Sequence, residues 1–235
     1  MTLNRYIAAR KQLGLVYNET REIVQQVVAL TRDRQDEASK IWRQDVCFRC
    51  MIFLRTAMAA VDYNQDGIAP WNVPELDESE RKELKTKLEW NLGSSREART
   101  WTSTYRSENE NSLRVPSIMA QKLRHEIVNN RHLKKPLHFQ QEMFLLKCVQ
   151  TKMQAWSGLK YFLITPHPFP LVQKTRTFLF AYVFTLPFAL LSDFSFWFAH
   201  VFVIFILTFG YIGLETVAME LDDPFGNDDN DFDNL

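Results

Sequence analysis

Apolar residues recur at every third or fourth position along much of the chain. This spacing places them on one side of a helix, which is the pattern of an amphipathic helix with one buried face. It predicts four long helices, over residues 3 to about 32, about 36–60, about 115–133 and about 138–160. We therefore expect an all-α fold built from long helices that pack side by side.

Local signals add a shorter helix and two breaks. Asp77 can cap a helix, Glu80 stands at capping-box spacing from it, and Gly93 is a stop signal. Residues 94–113 are rich in Ser, Arg, Glu and Asn, which predicts a surface loop. The proline-dense sequence "TPHPFP", residues 165–170, predicts a break before the final part of the chain.

The pattern changes after this break, because residues 177–214 contain a single formal charge, at Asp193. The run 194–214 has 21 residues, about the number of apolar helical residues that cross a bilayer core of roughly 30 Å. The run 177–191 reaches that length only if residues 172–176 contribute at the interface. The "SD" dipeptide between the two runs predicts a turn, and so a transmembrane helical hairpin.

Basic residues set the expected orientation of this hairpin. Lys174 and Arg176 flank its entry, and the positive-inside rule then places both of its outer ends in the cytosol. The helical, basic first part of the chain lies on the same side. The alternative is a hairpin buried in the core of a soluble protein, which is disfavoured because such long stretches with one charge are rare in soluble chains.

Charge is balanced overall but concentrated at the end of the chain. The sequence has 28 basic and 28 acidic side chains, and this balance argues against a nucleic-acid-binding protein. Residues 219–233 hold seven carboxylates and no Lys or Arg. Calcium prefers such oxygen ligands, and Asp228 and Asp231 can converge on one ion if the segment turns. Spacing alone leaves a calcium site and a solvated acidic tail as alternatives.

Other motifs favour structural interpretations. "DYNQDG", which begins at Asp62, resembles the start of a calcium-binding loop, but Val73 occupies the position where such a loop needs a bidentate Glu. Cys47 and Cys50 have redox or zinc spacing, yet they lie within a predicted helix and lack a second pair of ligands. No nucleophile–base pattern or phosphate-binding loop is present, so we do not expect an enzyme.

Three segments resemble the bestrophin family of anion channels. "GYIGLETVAMELDDPFGNDDNDFD", residues 210–233, closely resembles the signature that follows the last membrane helix of that family. "TPHPFP" with the basic-flanked helix after it resembles the segment before the third membrane helix. "RYIAARKQLG", residues 5–14, resembles the motif that follows the pore-lining part of the second membrane helix.

The resemblance implies a homo-pentameric, helical channel in a lipid bilayer that conducts chloride and related small anions. It also implies a calcium clasp with side-chain ligands from Asp228 and Asp231 and backbone carbonyls from Glu220 and Asp223. The cytosolic constriction of the pore would fall at His167, where a titratable ring would make anion passage pH-sensitive.

The expected organisation is a cytosolic helical region over residues 1–165, a transmembrane hairpin over 166–218 and an acidic calcium clasp over 219–235. In the family, a first membrane helix and the pore neck precede the "RYIAARK" position. We therefore interpret the chain as a fragment of a longer channel that would not form a gated pore by itself. The alternatives are a non-conducting two-span membrane adaptor with an acidic interaction tail and a soluble helical enzyme.

Overall fold

The computed structural model describes residues 2–63, 68–90, 111–165, 169–190 and 196–220, and all regular structure in these ranges is helical. The four long helices expected from the apolar periodicity are confirmed to within a few residues. The helices are α1 (Thr2–Leu30), α2 (Glu37–Asp62), α3 (Glu78–Trp90), α4 (Val115–Val128), α5 (Phe139–Ile164), α6 (Phe169–Ala189) and α7 (Trp197–Glu220), with 3₁₀ turns at Pro70–Asn72 and Asn129–His132.

Four of these helices form a bundle. Helix α1 packs against α5 and α2, and α4 packs against α2 and α5. Helices α2 and α5 therefore occupy opposite corners of the bundle, as do α1 and α4. Each fully buried large apolar side chain contributes about 1.5–3 kcal/mol. The largest in this core are Ile23, Ile52, Phe53, Leu84, Met119, Leu123, Ile127, Leu145, Trp156 and Leu159.

Side-chain caps begin three of the helices. The Asp36 carboxylate accepts hydrogen bonds from the Ser39 backbone N–H at 3.1 Å and the Ser39 hydroxyl at 2.8 Å, at the start of α2. His138 caps α5, with a reciprocal hydrogen bond from its N–H to the Gln141 side chain at 3.1 Å. These contacts satisfy amide groups that would otherwise lack a partner in the first helical turn.

The expected cap of α3 is present, but its capping box is not formed through Glu80. Asp77 Oδ1 accepts a hydrogen bond from the Glu78 N–H at 2.9 Å. The Glu80 carboxylate instead pairs with Arg49 of α2 and, at 3.4 Å, with Lys122 of α4. The two cations outcompete a backbone amide for the carboxylate, and the pairing holds α3 over the α2–α4 edge of the bundle.

Helices α6 and α7 pack on each other as a hairpin outside the bundle. Its apolar side chains are largely exposed, with Phe184 at 80%, Phe188 at 71% and Phe209 at 72%. In the described part of the chain, α7 is the one helix that is long and apolar enough to cross a membrane. Its apolar stretch, Trp197–Met219, has 23 residues, and no residue of its most apolar part is buried. This exposure contradicts the alternative of a hairpin buried in a soluble core.

Candidate functional site

The predicted calcium ligands lie at and beyond the end of α7. Glu220 is the last residue of this helix, while Asp223, Asp228 and Asp231 fall outside the described residues. The final turn of a helix presents carbonyl oxygens without intrahelical partners and the negative end of the helix dipole, which fits a backbone ligand to a cation. Across the described ranges, no group of three or more His, Cys, Asp and Glu side chains forms a metal site.

The predicted pore constriction, His167, also lies outside the described residues. The break around it agrees with the sequence, because α5 ends at Ile164 and α6 begins at Phe169.

An ion pair closes the open end of the hairpin. Arg176 Nε of α6 lies 2.8 Å from Glu215 Oε1 of α7, about one and a half turns before the end of α7 at Glu220. The sequence prediction used Arg176 only to orient the hairpin and did not include this pair. A usable signal was present, because these two opposite charges flank the two apolar runs at the outer end of the predicted hairpin.

The exposed face of α1 is basic. Arg10, Lys11 and Arg21 are exposed, whereas the two carboxylates of α1, Glu19 and Glu22, are only partly exposed. Glu22 accepts a hydrogen bond from Gln26 Nε2 at 2.8 Å on its own helix. The most exposed charged side chains of α1 are therefore all cations, although the overall charge of the chain is neutral.

The start of α1 is tied to the end of α5. Arg5, the first residue of the "RYIAARK" motif, donates a hydrogen bond from Nη2 to the Phe162 carbonyl oxygen at 2.8 Å. At the other end of the same pair of helices, Arg34 donates to the Lys135 and Pro136 carbonyls that precede α5. These contacts fix α1 beside the segment that leads into the α6–α7 hairpin.

A buried lysine lies at the centre of the bundle. Lys152 Nζ of α5 donates to the Cys50 carbonyl oxygen at 3.1 Å and to Cys50 Sγ at 3.3 Å. It also lies 4.3 Å from the centroid of the Phe53 ring, a cation–π distance. Burial lowers the pKa of Lys152 and raises the pKa of the Cys50 thiol. Of the two cysteines of α2, Cys50 is buried, whereas Cys47 is half-buried.

A second buried charge fixes the connection between α4 and α5. The Glu142 carboxylate, 4% exposed, accepts hydrogen bonds from Arg131 Nη2 at 2.6 Å and from Asn130 Nδ2 at 3.1 Å. The hydrogen bond from Arg131 is the largest cause that lowers the pKa of Glu142. Asn130 Oδ1 accepts a hydrogen bond from the Leu137 N–H at 2.8 Å, so one network fixes the entire turn.

A helical bundle joined to an exposed, aromatic-rich hairpin is the architecture of a helical membrane protein. The sequence profile of the family described as "Bacterial/Fungal Bestrophin protein" matches residues 2–233. The chain belongs to this family, whose members are membrane proteins.

Solved structures show the same fold. Three structures of a bacterial bestrophin homologue from Klebsiella pneumoniae, each carrying a mutation, superpose on this chain with TM-scores of 0.73, 0.73 and 0.72 and identities of 18%, 18% and 19%. The superpositions cover 99% of this chain and 73–74% of theirs. At this identity the likeness concerns the fold.

A curated relative matches over a shorter region. A protein of Synechocystis sp. named as a voltage-dependent anion channel-forming protein is 32% identical over 87 residues, which are 37% of this chain. The matched region spans 28% of that relative's length.

Proposed function

We propose that the chain is a subunit of an anion channel that conducts chloride and related small anions. The observation that carries the proposal is the exposed face of α1, where the most exposed charged side chains, Arg10, Lys11 and Arg21, are all cations. Bestrophin family membership and the name of the Synechocystis relative support a channel. Cations along an ion pathway raise the local concentration of anions and disfavour cations, so this face suits anion passage.

The proposed assembly is a homo-pentamer with the pore on its symmetry axis. His167 lines the narrowest cytosolic part of this pore, and five copies of its ring make conduction sensitive to pH. No covalent chemistry is required, because the ions move by electrodiffusion. An enzymatic role has no supporting observation in this proposal.

Calcium binding at the end of α7 is the proposed regulation. The ligands are the Asp228 and Asp231 side chains together with the backbone carbonyls of Glu220 and Asp223. The helix end and the acidic tail each supply oxygen ligands, so one calcium ion bound by both connects the tail to α7. The Arg176–Glu215 pair, 2.8 Å long, holds the same end of α7 against α6, so ordering of the tail is transmitted to the hairpin.

Chloride efflux from liposomes tests the conduction proposal. Two proteins are reconstituted: the chain itself, and a version extended upstream by the two membrane helices that the resemblance places before Arg5. We expect chloride efflux above that of protein-free liposomes from at least the extended version. Absence of efflux from both would contradict the proposal and favour the non-conducting adaptor.

Charge reversal on α1 tests the pathway. In the conducting protein, replacement of Arg10, Lys11 and Arg21 by Glu is expected to reduce chloride-over-potassium selectivity by about tenfold or more. The matched control replaces three cations that are exposed outside α1, Lys82, Lys85 and Lys134, by Glu and should leave the selectivity unchanged. Equal effects of the two sets would mean that only the overall charge matters and that α1 does not line the pathway.

A further inference from the structure

An amine and a thiol touch each other inside the bundle. Lys152 Nζ of α5 lies 3.3 Å from Cys50 Sγ of α2, and neither residue exposes any of its surface to solvent. The Cys50 thiol donates its hydrogen to the Thr20 carbonyl oxygen of α1, 3.7 Å away. The lone pairs of the sulfur therefore remain available on the side of the lysine nitrogen. A nucleophilic nitrogen and an oxidisable sulfur are held side by side.

Burial determines which reagents can reach this pair. It raises the pKa of the Cys50 thiol, which disfavours the thiolate and its exchange with other thiols. It lowers the pKa of Lys152, which favours the neutral amine, the form with a free lone pair. Apolar protein interiors exclude charged and bulky reagents but admit small apolar guests such as xenon. Dioxygen is a small, uncharged and apolar oxidant, so it suits this site.

The other two cysteines lie in different surroundings. Cys47 is half-buried and lies three residues before Cys50 on α2, whereas Cys148 is buried one turn before Lys152 on α5. Both are free thiols, and neither is hydrogen-bonded to a lysine among the described residues. They therefore provide matched controls for any reaction that depends on the contact with Lys152.

We propose that Lys152 and Cys50 form an oxidative modification site, in which dioxygen joins Nζ to Sγ through one bridging oxygen atom. The O–O bond, the S–H bond and one N–H bond break, while an N–O bond and an O–S bond form. The second oxygen atom leaves as water with the two released hydrogens. Nitrogen and sulfur each lose two electrons, and dioxygen gains all four. The sulfur reaches the oxidation level of a sulfenic acid, which thiol reductants reverse.

The contact favours a bridge of this kind over a direct bond between sulfur and nitrogen. A bridging oxygen lets the two atoms stay farther apart than a direct bond does, so α2 and α5 move less in a densely packed core. The Phe53 ring, 4.3 Å from Nζ, covers the lysine on one side and limits its alternative positions.

The link would connect helices α2 and α5 across the diagonal of the bundle. The two residues are 102 positions apart in sequence, and a bond that closes a loop of this length restricts the unfolded chain. The oxidised protein should therefore melt about 10 °C above the reduced protein. This modification goes beyond the proposed function and does not depend on whether the chain conducts ions.

Peptide mass spectrometry on the full chain in detergent tests the site. One sample is kept under reductant without oxygen, and another is exposed to dissolved oxygen. Both are then denatured, alkylated at their free thiols and digested with trypsin. In the oxygenated sample we expect peptide 50–55 joined to peptide 148–160, uncleaved after Lys152, with one oxygen atom gained and two hydrogen atoms lost. Treatment with a dithiol should separate the two peptides again.

Variants assign the link to its two atoms. Cys50→Ser and Lys152→Met should lose both the link and the difference in melting temperature, whereas Cys47→Ser and Cys148→Ser should keep both. Circular dichroism checks that helix content is unchanged. Cys50→Ser replaces a single atom, so it decides the result even if Lys152→Met does not fold.

Three outcomes would overturn the site. The first is an oxygenated parent whose two peptides remain separate. The second is a link without the added oxygen, which would identify a direct bond between sulfur and nitrogen or a disulfide between Cys50 and Cys148. The third is oxygen on Cys50 with no attached peptide, which would identify ordinary thiol oxidation.

Discussion

The Lys152 ammonium nitrogen lies 3.1 Å from the Cys50 carbonyl oxygen and 3.3 Å from Cys50 Sγ, across the diagonal of the bundle. The Cys50 thiol in turn donates to the Thr20 carbonyl oxygen of α1 at 3.7 Å. One lysine therefore connects α5 to α2 and, through the thiol, to α1. Removing a buried charge of this kind changes how stability depends on pH, which gives the first prediction.

Replacement of Lys152 by Met keeps a side chain of similar length and removes the charge. Burial lowers the folded-state pKa of Lys152 below its unfolded value of about 10.4, so unfolding takes up a proton between these two pKa values. The free energy of unfolding of the parent should therefore rise with pH through that window, relative to Lys152→Met. Thermal unfolding in detergent between about pH 7 and about pH 10 measures this difference. Parallel curves for the two proteins would contradict it.

Replacement of Glu142 by Gln removes the charge that receives Arg131 and Asn130. We expect a loss of about 1–3 kcal/mol in the free energy of unfolding, because the hydrogen bonds to a charged, buried acceptor are weakened. The folded-state pKa of Glu142 is lowered, so the contribution is present above the unfolded pKa of about 4.3 and is lost as pH falls. Exposed Glu78, changed to Gln, is the control. If the stability lost in Glu142→Gln stays constant from neutral to acidic pH, the charge of the Glu142 carboxylate does not stabilise the fold.

Reversal of the Arg176–Glu215 pair tests the closure of the hairpin. Arg176→Glu and Glu215→Arg should each lower the melting temperature, and the double variant should recover most of the loss. Both side chains are partly exposed, so we expect a coupling energy of only about 0.5–1 kcal/mol. A double-mutant cycle measured by thermal unfolding in detergent gives this value. If the stability losses of the two single variants simply add up in the double variant, the Arg176–Glu215 pair does not hold the hairpin together.

Calcium removal tests the clasp at the end of α7. Calcium should raise the melting temperature of the parent, because a ligand that binds only the folded state stabilises it, and chelation should reverse the effect. Asp228→Asn and Asp231→Asn should abolish the response. The controls Asp229→Asn and Asp233→Asn change carboxylates of the same tail and should preserve it. Absence of a calcium response in the parent would identify the segment as a solvated acidic tail, and similar losses in all four variants would exclude a specific role for Asp228 and Asp231.

Replacement of His167 by Ala tests the pH-sensitive constriction. An imidazole ring titrates near pH 6.5, so the parent channel should change its anion current between about pH 5.5 and about pH 8. The alanine variant should lose that dependence, whereas His132→Ala, an exposed histidine of the bundle, should retain it. Currents in planar bilayers measure both profiles. Identical pH profiles for the parent and His167→Ala would exclude a role for this ring.

The sequence by itself determined the helices, because apolar spacing and caps are local and act within a few residues. The long helices, the caps at Asp77 and the break after Ile164 all follow from such signals. The apolar end of the chain likewise predicted a hairpin that stays outside the core. The motif resemblance identified the bestrophin family, which the profile match over residues 2–233 confirms.

Only the tertiary structure decided which charges meet. Glu80 was expected to cap its own helix, but two cations from other helices bind it. Lys152 and Cys50 are 102 residues apart in sequence, and their 3.3 Å contact depends on how α5 crosses α2. The diagonal placement of α2 and α5, and the basic exposed face of α1, arise from packing that buries one side of each helix. Local sequence patterns fix which side is apolar, whereas the identity of the partner helix is set by long-range packing.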